Sequence, residues 1–144
     1  MIRINLVCVG KLKESYWREA CAEYAKRLSR FCKLEICELS ERANPKEEAE
    51  DILRHLRGHV IALAVEGRRC SSEKFAADIK KLCDAGAEIT LVIGSSCGLD
   101  NTVKSRAELV SFSEMTFPHQ MFRVILLEQL YRAFMINSGS EYHK

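Results

Sequence analysis

The sequence predicts an α/β fold, a mostly parallel β-sheet with helices on both faces. Five short apolar runs alternate along the chain with segments in which apolar residues recur at helical spacing. The runs are almost continuously apolar, which is typical of parallel strands covered on both sides. With 144 residues, 47% of them apolar and 29% charged, we expect a single domain over residues 1–144.

The first predicted elements are a strand, a helix and a strand. The run "INLVCVG" ends at Gly10 and predicts the first strand. Over residues 14–28, apolar side chains recur every three or four positions between Lys, Arg and Glu, which predicts an amphipathic helix. The run "KLEICEL" predicts the second strand.

The segment "NPKEEAEDILRHLRG" carries clear signals of a helix. Asn44 is a suitable N-cap, Pro45 suits the first turn, and Glu47 follows three residues after the cap. Gly58 is expected to end the helix.

The second half of the chain continues the alternation. The runs "VIALAV", "EITLVIG" and "ELVSF" predict three more strands. A helix is expected from Ser71 or Ser72 to about Cys83, with Gly86 as its stop, and a short helix over residues 101–107.

A long apolar helix is expected over residues 120–136. Its only strongly polar residues are Arg123, Glu128, Gln129 and Arg132, and Glu128 and Arg132 are spaced to pair on one face. A helix this apolar must be buried on more than one side. We therefore expect the same helix of a second subunit to cover it across a two-fold axis; the alternative is a central core helix.

The cysteines and the charge exclude several classes. Seven cysteines, an odd number without a CxxC pair, favour free thiols over a disulfide framework or a metal site. No apolar run is long enough to span a bilayer, and no signal peptide is evident, so we expect a cytoplasmic protein. A net charge of +2 leaves nucleic-acid binding open, because a basic footprint can be local.

Three loops follow predicted strands and are candidates for a ligand site, because open parallel sheets bind ligands beyond the carboxyl ends of their strands. They are "VEGRRCSS", "GSSCGLD" and "SEMTFPHQ". In the second loop, Gly94 and Gly98 allow close approach of a ligand to the backbone; the alternative is an ordinary strand-to-helix turn. Cys97 would need a neighbouring cation to act as a nucleophile, and His119 after Pro118 is interpreted as structural before catalytic.

The chain resembles the ribosomal RNA large subunit methyltransferase H family, small members of the SPOUT superfamily. The motifs that carry the resemblance are "MTFPHQ", "EQLYRAF" and the terminal "YHK", and "VGKLKESYWREACAEYAKRL" extends it to the first strand and helix. The resemblance implies a C-terminal trefoil knot, S-adenosylmethionine bound in the knot, and a homodimer. The implied reaction is N3-methylation of a pseudouridine in large-subunit (23S) rRNA on assembled ribosomes.

The resemblance also implies which residues contact the cofactor. These are Leu63, Gly94, Phe112, Ser113, Glu114, Met115, Thr116 and Phe117. Pro118 would turn this loop into the long helix, which explains a proline before the most apolar segment. Ser95 stands where the family has a second glycine, and Ala64 where it has an acidic residue.

Methylation of N3 requires loss of a proton, so a base or a cation near the target is expected. We assign functional roles to Arg132 and His143, with Arg132 stabilising the developing anion and Glu128 supporting it, and Tyr142 as a base-stacking candidate. Two alternatives stay open: a SPOUT methyltransferase acting on another RNA such as tRNA, and a non-catalytic ribosome-binding homologue.

Overall fold

A computed structural model describes residues 1–144 and confirms the predicted α/β class. Ten elements alternate along the chain: β1 (Ile2–Val9), α1 (Ser15–Leu28), β2 (Cys32–Leu39), α2 (Pro45–Leu53), β3 (His59–Arg69), α3 (Ser72–Asp84), β4 (Ile89–Ile93), α4 (Asn101–Lys104), β5 (Glu108–Ser111) and α5 (His119–Asn137). The five strands form one parallel sheet in the order β2-β1-β4-β3-β5.

Two apolar clusters cover the two faces of the sheet. Alternate residues of β1, β3 and β4 pack on one face against α1, α3 and α5, and the larger cluster lies there. The intervening residues pack on the other face against α2 and α4. The central strand β4 is buried at all five positions, which explains its continuous apolar sequence.

Helix α2 is shorter than the sequence predicts. The capping prediction is confirmed, because the Asn44 side chain accepts a hydrogen bond from the Lys46 N–H at 2.9 Å. However, the helix ends at Leu53 rather than at Gly58. Thr90, buried in β4, uses its hydroxyl to accept from the Arg57 N–H at 3.0 Å and to donate to the Arg57 carbonyl at 2.6 Å. The Thr90 side chain therefore satisfies the N–H and carbonyl of Arg57, which a longer helix would have paired within itself.

Strand β3 is longer than the predicted "VIALAV". It continues to Arg69 after an irregularity in which Leu63 and Arg68 both pair with Val110 of β5. Gly67 allows this continuation, since a Cβ there would lie 2.6 Å from backbone atoms of Leu109 and Val110. The loop after "VIALAV" is thus a bulge within a strand.

Helix α5 follows Pro118 as expected, and the Phe122 N–H donates to the Pro118 carbonyl at 2.9 Å. The helix lies between α1 and α3 on the sheet, so the interpretation as a core helix is confirmed for its inner side. Arg123 is buried within it, paired with Glu38 of β2 and donating to the Gly10 carbonyl at 3.0 Å. This pair ties α5 to the carboxyl ends of β1 and β2.

Candidate active site

A cleft of about 320 Å³ opens at the irregularity of β3 and at the carboxyl ends of β4 and β5. Its walls come from the three loops that the sequence singled out, because neighbouring parallel strands deliver their following loops to one edge of the sheet. Seven of the eight predicted cofactor residues line it: Leu63, Gly94, Phe112, Ser113, Met115, Thr116 and Phe117. The geometry thus brings together residues separated by about fifty positions in the sequence.

Glu114 is the exception. Its side chain is 71% exposed and its carboxylate pairs with Arg69 at the end of β3, so it does not line the cleft. Glu114 therefore ties the cleft loop to β3, and its contact with the cofactor stays a prediction.

The loop after β4 forms a tight turn at the floor of the cleft. Ser95 and Gly98 form an isolated antiparallel bridge, and the Ser95 hydroxyl accepts from the Cys97 N–H at 3.3 Å. A Cβ at Gly94 would lie 2.7 Å from a methyl group of Leu99. The backbone at position 94 is therefore so close to the Leu99 side chain that only glycine fits there. The Ser95 hydroxyl is engaged within the turn, although Ser95 and Ala64 both line the cleft.

Aromatic rings form one wall of the cleft. The ring of Phe112 contacts Phe75 edge to face at a centroid distance of 5.3 Å, and it contacts Phe122 at 5.7 Å. Phe117 stacks on Phe122 at 6.3 Å. Such a wall suits a flat, weakly polar ring such as a purine base.

Several residues of the cleft escaped the sequence analysis. Glu66 and Lys104 form an ion pair at 2.5 Å, and the hydrogen bond from Lys104 lowers the pKa of Glu66. Ser111 and Phe122 also line the cleft, as does His119, which the sequence led us to interpret as structural before catalytic. His119 is the first residue of α5, so Pro118 places it at the opening of the cleft. Glu66 lies within the candidate loop "VEGRRCSS". Lys104, Ser111 and Phe122 lie in predicted helices or strands, so nothing local in the sequence marked them as cleft residues.

The three predicted catalytic residues form a second group of side chains. Glu128 accepts from the Arg132 Nε at 2.7 Å, as their spacing on α5 predicts. The Arg132 Nη1 lies 3.1 Å from His143 Nδ1, which shows that the C-terminal tail docks on α5. The Arg132 guanidinium also lies 4.9 Å from the ring centroid of Tyr142. The hydrogen bond to Glu128 raises the pKa of Arg132, so it stays charged.

The cleft and this charged group are separate within one chain, since none of the three residues lines the cleft. Between them is a smaller cavity of about 170 Å³, which shares Phe112, Ser113 and Phe117 with the cleft. Its polar side includes Gln129, which accepts from the Ser72 hydroxyl at 2.6 Å. The smaller cavity therefore places a polar side chain of α5, Gln129, beside the cleft.

The cysteines do not form a second reactive site. All seven are free, and burial raises the pKa of Cys8 and of Cys32 to about 12, so both are protonated at neutral pH. Cys97 is exposed in the floor loop of the cleft.

None of the helices combines the length and the hydropathy that a bilayer-spanning helix needs.

The fold and the cleft define a class: an α/β protein with a candidate ligand site at the carboxyl edge of a parallel sheet. The sequence matches the family described as "Predicted SPOUT methyltransferase" over residues 2–143. The chain therefore belongs to the SPOUT methyltransferase family, which confirms the resemblance seen in the sequence.

Individual relatives span the whole chain. It is 49% identical to "Ribosomal RNA large subunit methyltransferase H" from Bifidobacterium adolescentis and 46% identical to the protein of the same name from Streptococcus equi subsp. zooepidemicus. Both alignments cover 99% of this chain and 100% of the relative.

Among solved structures, the fold is similar to the "Probable Methyltransferase from Bordetella pertussis Tohama I". The TM-score is 0.60 at 10% identity, over 92% of this chain and 94% of that one. At this identity the similarity concerns the fold alone.

Proposed function

We propose that this protein transfers a methyl group from S-adenosylmethionine to N3 of a pseudouridine in large-subunit (23S) rRNA, acting on assembled ribosomes in the cytoplasm. The observation that carries the proposal is the full-length similarity to relatives named as large-subunit rRNA methyltransferases. The cleft supports it, because seven of the residues expected to hold the cofactor converge there.

The cleft fits S-adenosylmethionine in size and chemistry. Its volume of about 320 Å³ lies within the ordinary range for small-molecule sites. Phe112, Phe117 and Leu63 offer apolar surface for an adenine ring, and the turn at Gly94 offers backbone groups. Ser113 and Thr116 add hydroxyls for polar parts of the ligand. The bound cofactor supplies a methyl group already activated by its sulfonium.

The protein's own task is to align the target base and manage its proton. Arg132 is oriented by Glu128 through Nε and by His143 through Nη1, so its guanidinium is held in one plane. It can then donate to the base oxygen on which negative charge develops as the N3 proton leaves. We assign His143, which contacts the same guanidinium, as the candidate acceptor for that proton, and Tyr142 can stack on a base.

We infer a homodimer in which one subunit's charged group meets the other's cleft. Met121, Ile125 and Met135 of α5 are only half-buried, and they pack on neither core cluster. A second copy across a two-fold axis would cover these side chains. It would also explain why Arg132 and His143 do not reach the cleft of their own chain. The trefoil knot that the family implies remains part of this proposal.

The decisive experiment measures transfer of labelled methyl groups from S-adenosylmethionine to assembled ribosomes that lack the modification. The Arg132→Ala protein serves as the comparison, and free tRNA as the competing substrate. We expect transfer to ribosomes by the wild type and at least a hundredfold slower transfer by the variant. Transfer to tRNA alone would indicate that tRNA, and not the ribosome, is the substrate. Absence of cofactor binding in calorimetry would indicate a non-catalytic ribosome-binding protein.

A further inference from the structure

The imidazole of His143 is held between two groups of opposite hydrogen-bonding character. Its Nδ1 lies 3.1 Å from Arg132 Nη1, and its Nε2 lies 2.6 Å from Glu73 Oε1. A guanidinium can only donate, so Nδ1 must be the unprotonated acceptor. An ionised carboxylate can only accept, so Nε2 must carry the proton. The two contacts together select one neutral tautomer of His143.

Glu73 is placed to make this selection by the first turn of α3. The hydrogen bond with His143 lowers the pKa of Glu73, so its carboxylate is ionised at neutral pH. The opposite tautomer would set Nδ1–H against the Arg132 guanidinium and a nitrogen lone pair against the carboxylate. The opposite tautomer is therefore disfavoured by both neighbours of the imidazole.

The same contact fixes the C-terminal tail. His143 lies 70 residues from Glu73 in the sequence, and their hydrogen bond joins the tail to α3. The imidazole also contacts Arg132 of α5, and Arg132 in turn contacts Glu128 on α5 and Tyr142 on the tail. Glu73 is thus the carboxylate from α3 that faces His143, and it does not line the cleft.

We propose that Glu73 is a positioning residue, which fixes the Nε2–H tautomer of His143 and so directs the Nδ1 lone pair at Arg132. In this arrangement Nδ1 accepts from Arg132 and completes the orientation of its guanidinium. The effect on catalysis rests on the proposed function, whereas the tautomer of His143 does not.

The first test is NMR of the imidazole nitrogens in the full chain near neutral pH, with the His143 signals assigned from a His143→Asn variant. We expect the Nε2–H tautomer in the wild type. Glu73→Gln should keep it, because the amide oxygen still accepts from Nε2–H, and Glu73→Ala should give a mixture of tautomers. Glu141→Ala removes another tail-region carboxylate and should change nothing. An Nδ1–H tautomer in the wild type, or an unchanged tautomer in Glu73→Ala, would overturn the proposal.

The second test is methyl transfer to unmodified ribosomes by the same variants. We expect kcat to fall about tenfold in Glu73→Ala, as when a histidine loses the partner that orients it, with the KM for S-adenosylmethionine unchanged. Glu73→Gln should restore kcat to within about threefold of the wild type. A changed cofactor KM with normal kcat, or a Gln variant as impaired as Ala, would contradict the positioning role. If the wild type itself transfers no methyl groups, the proposed function is wrong. The NMR result still decides whether Glu73 selects the tautomer of His143.

Discussion

Arg123 is a charged residue in the most apolar helix, and its side chain is only 5% exposed. Its guanidinium pairs with Glu38 and donates to Gly10, while its Nε has no hydrogen-bond partner within the chain. A buried cation of this kind is tolerated only because its carboxylate partner is near. The residue therefore links α5 to the ends of β1 and β2 at a cost in desolvation.

We expect Arg123→Ala to lower the free energy of unfolding by about 2 kcal/mol, because it leaves a cavity and removes the donor to the Gly10 carbonyl, while Glu38 is 38% exposed and can be hydrated. Lys80→Ala, which breaks the exposed pair with Asp84, should cost less than about 0.5 kcal/mol. Urea denaturation of both variants measures the difference. Equal losses would mean that the buried pair is no more important than a surface one.

The buried thiols predict how stability depends on pH. The pKa of Cys8 is raised by burial from 9.0 to about 12, so folding favours the protonated thiol. This contribution is fully present below pH 9 and is lost as the pH rises from 9 toward 12. Between pH 9 and 10.5 the free energy of unfolding should fall by about 1 kcal/mol per pH unit for this thiol.

The Cys8→Ala variant should show a shallower decline of stability over that pH interval than the wild type. Cys97→Ala is the matched control, because Cys97 is exposed. Denaturant midpoints between pH 8 and 10.5 provide the measurement. An identical slope in the wild type and Cys8→Ala would contradict the assignment to this thiol.

At the scale of elements, the β3–β5 pairing shapes the cleft. β3 resumes its pairing after the bulge, and β5 ends at Ser111, from which the chain continues into Phe112 and Ser113 on the cleft wall. The close approach at Gly67 is what lets the two backbones pair again. A defect there should affect both stability and ligand binding.

Gly67→Ala should destabilise the protein by about 2 kcal/mol more than Gly86→Ala, since its Cβ would meet backbone atoms that cannot move aside. At Gly86 the φ of +71° makes alanine strained, but no atom lies within 4 Å. Thermal denaturation compares the two variants, and calorimetry with S-adenosylmethionine should show weaker binding only for Gly67→Ala. Normal cofactor binding by Gly67→Ala would mean that the bulge in β3 does not control the shape of the cleft.

At the scale of the whole molecule, the question is how the cleft and the charged group on α5 meet. Their separation within one chain is the main support for a composite site between subunits. The half-buried apolar residues of α5 supply a surface on which a second copy could pack. Charge placed on that surface should oppose association.

Ile125→Asp is expected to shift the protein from dimer to monomer in sedimentation and to abolish methyl transfer, because the charge would be buried at the interface. Ala43→Asp, which places the same charge on an exposed residue just before α2 and on the opposite face of the sheet from α5, should leave the dimer intact. A wild type that sediments as a monomer would refute the dimer.

Mixed dimers test the composite site directly. Arg132→Ala removes the charged group, and Thr116→Trp fills the cleft, so each variant alone should be inactive. After unfolding and refolding together, half of the dimers are mixed and each holds one complete site. We expect about a quarter of wild-type activity on ribosomes, following from random pairing of equal amounts. No recovery would mean that each site is built within one subunit.

The sequence by itself determined the α/β class, the alternation of elements, the cap at Asn44 and the family. These follow from local periodicity, capping residues and specific motifs, which act over a few positions. It also determined most of the cleft, because residues after parallel strands must converge at one edge of the sheet.

Only the tertiary structure decided the early end of α2, the extension of β3, the burial of Arg123 and the contact of Glu73 with His143. Each depends on partners far apart in the sequence: Thr90 for α2, β5 for β3, Gly10 for Arg123 and the tail for Glu73. Local propensity cannot indicate which distant residue will form a hydrogen bond with a backbone group or pair with a charged side chain, since that depends on packing. The physical reason is that long-range hydrogen bonds and buried ion pairs exist only once the sheet and its helices are assembled.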